Sequence, residues 1–383
     1  MWIAGLRRVA GLAGQLGRRA SGRRVRRSGR PPAGLDFAQA AIARDPFPHY
    51  ESLRRLGSVH FLPRHDAWMV LGYDEVQSAF RQPGVFSNFP YTDIDAVLLG
   101  ADPPAHAPVR RIVAQLVAGD ALARLETFAA ARAAALLAPR LDLVASFSGP
   151  LTEAVAGRLL GWPDETLDAI RTAVALNPET AALIATLDAL AVKADIYPGL
   201  LADGMSDAQA RSLVRLLWLA ATTTTGRVIA SCALRLLTDP PLADALRRDE
   251  ALVAAFVDEV LRLHPPELMV PRVTTEAVSL GERHIPAGAL VHLCIAAANR
   301  DPAKFERPSD LWLARPSARH LAFGYGIHHC VGALLGRRTI ETAVRAVLAH
   351  APGFRAVEPL DTAVTWCSMT ASPVGRLLVE FTP

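Results

Sequence analysis

Cysteine is scarce in this chain of 383 residues, which contains only Cys232, Cys294, Cys330 and Cys367. None of them belongs to a CxxC pair and all are widely spaced, so the sequence predicts neither a disulfide framework nor a zinc site of paired cysteines. Free thiols persist in a reducing compartment, and we therefore expect a cytoplasmic protein.

Long apolar runs are also missing. No stretch reaches the ~20 uninterrupted apolar residues that a membrane-spanning helix requires, so we expect no membrane span. Hydrophobic residues nevertheless make up 51% of the chain, and charged residues make up 20%. This balance predicts a sizeable folded core and excludes a wholly disordered chain.

Acidic residues are absent from residues 1–30, whereas nine arginines occur there. Removing those arginines from the 41 basic residues leaves 32 against 37 acidic ones, so the rest of the chain is slightly acidic. We predict that residues 1–35 form a basic, disordered extension and that residues 36–383 form one domain. An interfacial membrane helix or a nucleic-acid arm is the alternative for the extension. We expect no nucleic acid as a partner of the domain.

Helical periodicity dominates residues 74–255, with proline and glycine marking the breaks. Residues 206–239 are predicted to form one long helix, because Ser206 can cap its start and a proline pair follows it. The segments SVHFLP and AWMVLG predict a β-hairpin, short strands follow within 267–298, and a last helix covers about 331–350. The predicted fold class is therefore mainly α with a small β region.

The segment HLAFGYGIHHCVGALLGRR places Cys330 where helical periodicity begins. A helix N-terminus lowers the pKa of a thiol, because unpaired N–H groups and the positive end of the helix dipole stabilise the thiolate. Gly324 and Gly326 permit a tight loop whose amides can point at the sulfur. Gly332 leaves room for a large flat group beside the helix. Such a thiolate suits the axial position of a heme iron.

Two other interpretations of this segment remain open. A lone cysteine in a glycine-rich turn is most often simply buried. A zinc site could be built from His328, His329 and Cys330, although three adjacent residues cannot all face one tetrahedral ion without strain.

The residues FGYGIHHCVG resemble the cysteine-loop signature of the cytochrome P450 family, F-G-x-G-x-H-x-C-x-G, at all six defining positions. The resemblance implies the mostly helical heme-thiolate prism of that family from about residue 36 onwards. It also implies that Cys330 is the proximal ligand to the iron of heme b, that Phe323 packs near the sulfur and that His328 reaches a heme propionate. Gly332 completes the signature beside the heme.

The segment EVLRLHPP contains Glu259 and Arg262, whose i, i+3 spacing permits a bidentate contact on one helix. It resembles the segment that carries the family's buried ion pair, which an arginine shortly before the cysteine loop completes; Arg315 fits that position. The resemblance implies a structural role for the three residues. A solvated surface pair is the alternative.

Two further segments resemble parts of the family that bind the heme propionates. In DPPAHAPVRR we expect Asp102 to cap a helix on which His106 and Arg110 share a face. In VPRVTT the matching residue is Arg272. The resemblance implies that these three side chains donate to the propionates, and an ordinary surface charge is the alternative for each.

The segment LWLAATTTTGRVIAS lies within the long predicted helix. The family has here a small pair, a variable residue, an acid and a threonine. On this alignment Ala220 begins the small pair, Thr223 takes the place of the acid and Thr224 keeps the alcohol. The resemblance implies that Thr224 acts beside the reacting oxygen, whereas Thr223 leaves the usual proton relay without its acid. Alternatively, these hydroxyls only bond backwards to helix carbonyls.

The same resemblance places an apolar substrate pocket at residues for which plain core packing is the alternative. They are Leu98, Leu99, Ala220, Leu268, Met269, Val270 and Met369.

Taken together, the resemblance implies a heme-thiolate monooxygenase of secondary metabolism that inserts one oxygen atom of O2 into an apolar small-molecule or carrier-bound substrate. The chain has no flavin or nucleotide fingerprint, so electrons would come from a separate ferredoxin or flavodoxin-type partner with its reductase. We expect a monomer. Thr223 motivates two alternatives, namely a peroxide-driven heme enzyme and a heme-thiolate protein that binds ligands without oxygenating them.

Overall fold

The structure, a computed structural model, describes residues 35–92, 94–176, 180–316, 319–360, 370–371 and 374–382. Residues 1–34 and Met369 lie outside the described residues, so the predictions for the extension and for Met369 remain expectations. Within the described ranges, no helix combines the length and the apolar character needed to cross a membrane.

Helices account for most of the described structure, as predicted. In chain order they are α1 (Ala40–Arg44), α2 (Phe47–Leu56), α3 (Tyr73–Phe80), α4 (His106–Leu116), α5 (Gly119–Leu136), α6 (Gly149–Leu160), α7 (Asp164–Leu176), α8 (Thr180–Leu190), α9 (Tyr197–Ala202), α10 (Asp207–Thr238), α11 (Pro240–Arg248), α12 (Leu252–Leu263), α13 (Ile295–Ala298) and α14 (Ala333–His350).

The strands are short. They are β1 (Val59–Leu62), β2 (Ala67–Val70), β3 (Phe86–Ser87), β4 (Arg140–Asp142), β5 (Val270–Thr274), β6 (Val278–Leu280), β7 (Arg283–Ile285), β8 (Leu290–Leu293), β9 (Gly353–Ala356) and β10 (Leu378–Thr382).

The chain divides into two compact units, and the first includes residues 35–92 and 258–330. Its main sheet has the order β1-β2-β8-β5-β3, in which only the β2 and β8 neighbours run parallel. The predicted hairpin is confirmed, since β1 pairs with β2 in antiparallel register and Val59 lies opposite Val70. Met69 of β2 is fully buried in a core cluster that also contains Leu71 and Cys294.

The second unit includes residues 94–257, 331–360 and 374–382. Its longest element is α10, which confirms the predicted helix. Ser206 accepts a hydrogen bond from the N–H of Gln209 at 3.3 Å, and the Gln209 side chain accepts one from the N–H of Ser206 at 2.9 Å. This reciprocal capping box satisfies two N–H groups that the helix itself cannot pair. The strands of this unit form a small antiparallel sheet in the order β4-β10-β9.

The start of α4 differs from the prediction. Helix α4 begins at His106 with Ala105 at the N-cap, so the prediction that Asp102 caps it is wrong. Asp102 instead contributes its main-chain carbonyl, which accepts from the N–H of His106 at 3.3 Å. The reason is local, because Asp102 and Pro103 each precede a proline and such positions disfavour the α conformation.

Candidate active site

Cys330 differs from the other described cysteines in its exposure. Cys232 and Cys294 are buried, whereas Cys330 is exposed. Burial raises the pKa of the Cys294 thiol to about 12, which makes it a poor nucleophile or metal ligand. Within the described ranges, no group of three or more His, Cys, Asp or Glu side chains is placed to hold a metal ion. The interpretation of Cys330 as a buried structural residue therefore does not hold.

The loop before Cys330 depends on glycine conformations. Gly324 and Gly326 have φ values of 67° and 71°, in the left-handed region that favours glycine. A Cβ atom at Gly326 would lie 2.5 Å from the carbonyl oxygen of Phe80, too close for any other residue without a shift of the main chain. The loop closes when the N–H of Cys330 donates to the carbonyl of Phe323 at 2.8 Å.

The helix that follows the loop begins slightly later than predicted. Gly332 occupies the N-cap of α14, and its carbonyl accepts from the N–H of Gly336 at 2.8 Å. Cys330 therefore precedes the N-cap and does not belong to the first helical turn. Phe323 lies with its ring centroid 6.5 Å from that of His329, and His328 ends the 3-10 turn Gly326–His328.

Arg272 and the cysteine loop share Phe80 as a neighbour. The Arg272 guanidinium lies 5.3 Å from the centroid of the Phe80 ring, and its Nη1 donates to the carbonyl of Pro271 at 2.7 Å. Burial raises the pKa of the adjacent Tyr91 phenol, while the positive charge of Arg272 opposes that rise. Arg272 is only 5% exposed, so it is a buried cation on β5 and not an ordinary surface charge.

Glu259 lies between two arginines. Arg262 donates to it through Nε at 2.7 Å and through Nη2 at 2.9 Å, and Arg315 donates through Nε at 2.9 Å. The N–H of Trp312 donates to the same carboxylate at 2.9 Å. Arg262 is fully buried, so the alternative of a solvated surface pair does not apply.

In the second unit, α4 carries His106 and Arg110 one turn apart. His106 is 3% exposed, and burial together with the nearby charge of Arg110 lowers its pKa. An anion bound beside these two side chains would raise the pKa of His106 again, because a negative charge favours the protonated imidazole. The pair therefore has the charge and the burial expected of a carboxylate-binding position.

The middle of α10 is more open than the stretches on either side of it, where residues 216–218 and 228–230 are buried. Ala220 is exposed and residues 221–227 are half-buried. The hydroxyls of Thr223 and Thr224 donate to the carbonyls of Leu219 and Ala220 at 2.7 Å and 2.8 Å. The back-bonding alternative thus accounts for both hydroxyl protons, while the hydroxyl oxygens can still accept hydrogen bonds.

The residues predicted to line a substrate pocket fall into two groups. Leu98 is buried in a core cluster of the second unit, and Leu99 packs against that cluster. Leu268 and Met269 are buried in a core cluster of the first unit, so core packing accounts for them. Val270 is half-buried and Ala220 is exposed, which leaves these two with surface that a ligand could reach.

Two charged residues that shape the loop near Leu98 were not predicted. The buried carboxylate of Asp95 accepts from the N–H groups of Val97 at 2.7 Å and Leu98 at 3.0 Å. Arg215 on α10 pairs with Asp188 on α8 and donates to the carbonyl of Ile94 at 2.8 Å. The first pattern is local and could have been recognised as an Asx turn. The second joins residues that are distant in sequence.

Each unit contains residues with the chemistry that heme binding uses. In the first unit the fit rests on the exposed Cys330 thiol, on the glycine conformations that hold its loop and on the buried cation of Arg272. In the second unit it rests on the hydrogen-bond donors His106 and Arg110 of α4 and on the open stretch of α10, where small and hydroxylated side chains leave surface for a flat group. A cysteine thiolate is one of the axial ligands that hold heme iron, and donors for the propionates and an apolar face complete the chemistry that such a group requires.

Comparisons with known proteins identify relatives across most of the chain. Residues 186–351 match the family model described as Cytochrome P450. Cytochrome P450 109 of Bacillus spizizenii is 31% identical over 339 residues, which cover 79% of this chain and 84% of that protein. The cytochrome P450 monooxygenase PikC of Streptomyces venezuelae is 32% identical over 361 residues, covering 83% of this chain and 86% of that protein.

Solved structures agree with these relatives. The crystal structure of CYP109B1 from Bacillus subtilis superposes with a TM-score of 0.78 at 26% identity, covering 88% of this chain and 100% of that chain. The chain therefore belongs to the cytochrome P450 family, whose members are oxidoreductases that bind heme b through an axial cysteine thiolate.

Proposed function

We propose that the chain is a monooxygenase in which Cys330 supplies the axial thiolate to heme b. The exposed thiol at the end of the FGYGIHHC loop carries this proposal. In the same unit Phe323 packs near the sulfur, and His328 and Arg272 bind propionates. Gly332, two residues after the cysteine, leaves space for the heme beside α14. In the second unit His106 and Arg110 take the same propionate-binding role, which suits their burial and charge.

Heme with a thiolate ligand supplies the chemistry that activates O2 and inserts one of its oxygen atoms into a substrate. Thr224 holds a water near the reacting oxygen through its hydroxyl oxygen, because the hydroxyl proton is committed to the carbonyl of Ala220. Thr223 cannot supply a proton as an acid would, and it orients water through the same kind of hydroxyl. Protons then arrive through water or from a group on the substrate.

The substrate is an apolar small molecule or an apolar group on a carrier. The half-buried surface of Val270 and the exposed methyl group of Ala220 favour an apolar ligand. One relative, from Salinispora arenicola, is named cyclomarin C epoxidase CymV and is 30% identical over 329 residues. A natural-product substrate in secondary metabolism is consistent with that relative.

The enzyme works as a cytoplasmic monomer. Its electrons come from a separate acidic donor of the ferredoxin or flavodoxin type. The surface of this chain on which that donor docks includes Tyr325, whose ring centroid lies 5.0 Å from the guanidinium groups of both Arg81 and Arg319. Tyr325 lies within the cysteine loop itself. Both arginines are exposed, so their charges are available to steer an acidic partner.

A carbon monoxide difference spectrum of the reduced protein tests the ligand assignment. We expect the wild type to give the spectrum of a thiolate-ligated heme and Cys330→Ser to lose it. Cys232→Ala is the control, because that thiol is buried and should leave the spectrum unchanged. A thiolate spectrum retained by Cys330→Ser would refute the assignment.

Because position 223 carries a threonine where the family has an acid, two other functions are candidates. One is a heme enzyme driven by peroxide, and the other is a heme protein that binds ligands without oxygenating them. Reconstitution with a ferredoxin and its reductase separates the candidates. Product formed with coupled O2 consumption supports the monooxygenase, and product formed only with added peroxide supports the peroxide-driven enzyme. Tight ligand binding without product in either assay would support the ligand-binding protein.

A further inference from the structure

A polar cleft in the first unit lies between α2 and the segment that follows α13. Its volume is about 530 Å³, which is within the range of small-molecule sites. The walls include the guanidinium groups of Arg54 and Arg300 together with Phe47, Pro48 and Ala297. None of these residues belongs to the proposed heme site.

Arg54 and Arg300 carry positive charge, and no acidic side chain within the described ranges forms an ion pair with either of them. Arg54 donates to the carbonyls of Ala297 and Arg300, and Arg300 donates through Nη2 to the carbonyl of Leu263 at 3.0 Å. The Nε atoms of both arginines are buried and have no hydrogen-bond partner within the described residues. Main-chain carbonyls orient these groups but leave their net charge in place.

The surrounding charges add to this excess. Burial, together with the nearby charges of Arg262 and Arg54, lowers the pKa of Arg300 to about 10, while the charge of Asp45 opposes that shift. Asp45 is exposed, so its charge is screened by solvent. The third cleft arginine, Arg55, already pairs with Glu51 at 2.9 Å. Two cations therefore face one screened carboxylate, which favours an additional anion.

One wall of the cleft is apolar and aromatic. The Arg300 guanidinium lies 3.8 Å from the centroid of the Phe47 ring, a close cation–π contact that holds both groups in place. A ligand with a carboxylate and an apolar body could pair with the cations and cover Phe47 and Pro48. An inorganic anion would use only the cations.

We propose that this cleft binds a small organic monocarboxylate, with Arg300 and Arg54 as the recognition residues. The inference goes beyond oxygenation and does not depend on the heme assignment.

Calorimetric titration of the full heme-loaded chain with benzoate tests this proposal, with inorganic phosphate as the second probe. We expect saturable 1:1 binding of benzoate, with an unchanged heme spectrum, and weaker binding of phosphate. Arg300→Met should weaken benzoate binding about tenfold or more, because a hydrogen-bonded charge is lost. Arg55→Gln is the matched control, and less than about twofold change is expected from an exposed, already paired arginine.

Asp45→Asn keeps the proposal testable if Arg300→Met fails to fold, since Asp45 is exposed and surface substitutions usually change stability little. Removing this carboxylate should strengthen benzoate binding about two- to fivefold, in line with the small energies of exposed charges. Absence of saturable binding, equal affinity in Arg300→Met, or weaker binding in Asp45→Asn would overturn the proposal. Equal binding of phosphate and benzoate would overturn the choice of an organic ligand.

Discussion

Arg262 donates two parallel hydrogen bonds, of 2.7 Å and 2.9 Å, to the carboxylate of Glu259, which lies one helical turn earlier on α12. Arg262 also donates to the carbonyls of Asn299 at 3.0 Å and Asp310 at 2.8 Å. The pair thus ties α12 to the segments that lead into the cysteine loop. Both side chains are buried, so water cannot replace the hydrogen bonds between them.

Replacing Arg262 by Leu should lower the free energy of unfolding by about 3–5 kcal/mol, because the change leaves the Glu259 charge buried and only partly compensated. Urea denaturation measures this difference. Arg307→Leu is the control, since Arg307 forms an exposed i, i+3 pair with Asp310 that should contribute less than about 1 kcal/mol. Similar losses in the two variants would contradict a structural role for the buried pair.

Stability should fall in acid partly because of Glu259. Burial alone would raise the pKa of this carboxyl, but hydrogen bonds from Arg262, Trp312 and Arg315 hold it below the ordinary 4.5. A depressed pKa stabilises the folded state above the unfolded value, and that contribution is lost as pH falls through the folded value. Unfolding free energies measured from about pH 6 to about pH 3 should therefore drop less steeply in Glu259→Gln than in the wild type. Parallel curves would contradict this.

Gly326→Ala should disrupt the cysteine loop. The new Cβ would combine a left-handed backbone with a contact of 2.5 Å to the Phe80 carbonyl oxygen, which cannot rotate away. We expect a loss of stability above about 2 kcal/mol and a reduced ratio of heme to protein. Gly288→Ala isolates the backbone effect, because Gly288 has a φ of 73° and open space around it. It should lose only about 1 kcal/mol and retain heme.

Thr224→Val should reduce the amount of product formed per O2 consumed by about tenfold or more, because the variant can no longer hold the water that delivers protons. Valine keeps the shape and removes the hydroxyl. Thr222→Val is the matched control, because Thr222 makes the same backward bond, to the carbonyl of Trp218 at 2.9 Å. If both variants lower the amount of product per O2 equally, the hydroxyls serve only to bond to helix carbonyls.

Thr223→Glu restores an acid at the position before Thr224. It should change the amount of product formed per O2 consumed.

Local patterns in the sequence were sufficient for much of the fold. The Ser206 capping box marks the start of α10, and alternating β-branched and aromatic residues identify the first hairpin. The i, i+3 spacing of Glu259 and Arg262 is a property of one helix. Each of these features depends on residues close together in the chain, and the physical rules for such neighbours are well defined.

Features that join distant segments could not be predicted in this way. The bond from Arg215 to the carbonyl of Ile94 spans residues 121 apart, and no spacing rule links them. The contact of Arg272 with Phe80 depends on how β5 lies in its sheet. Burial of Leu268 and Met269 likewise follows from packing and not from their apolar character. At Asp102 the restriction that each proline imposes on the residue before it outweighs the capping preference of the side chain.

The close approach of Gly326 to the Phe80 carbonyl sets a limit for protein engineering. The main chain of the loop has no room to accommodate a new Cβ at that position, so we expect library designs that vary Gly326 to yield protein with little cofactor. Adjustable positions lie between them, at Tyr325 and Ile327, whose side chains are half-buried. Attempts to tune the reduction potential should start with those two residues.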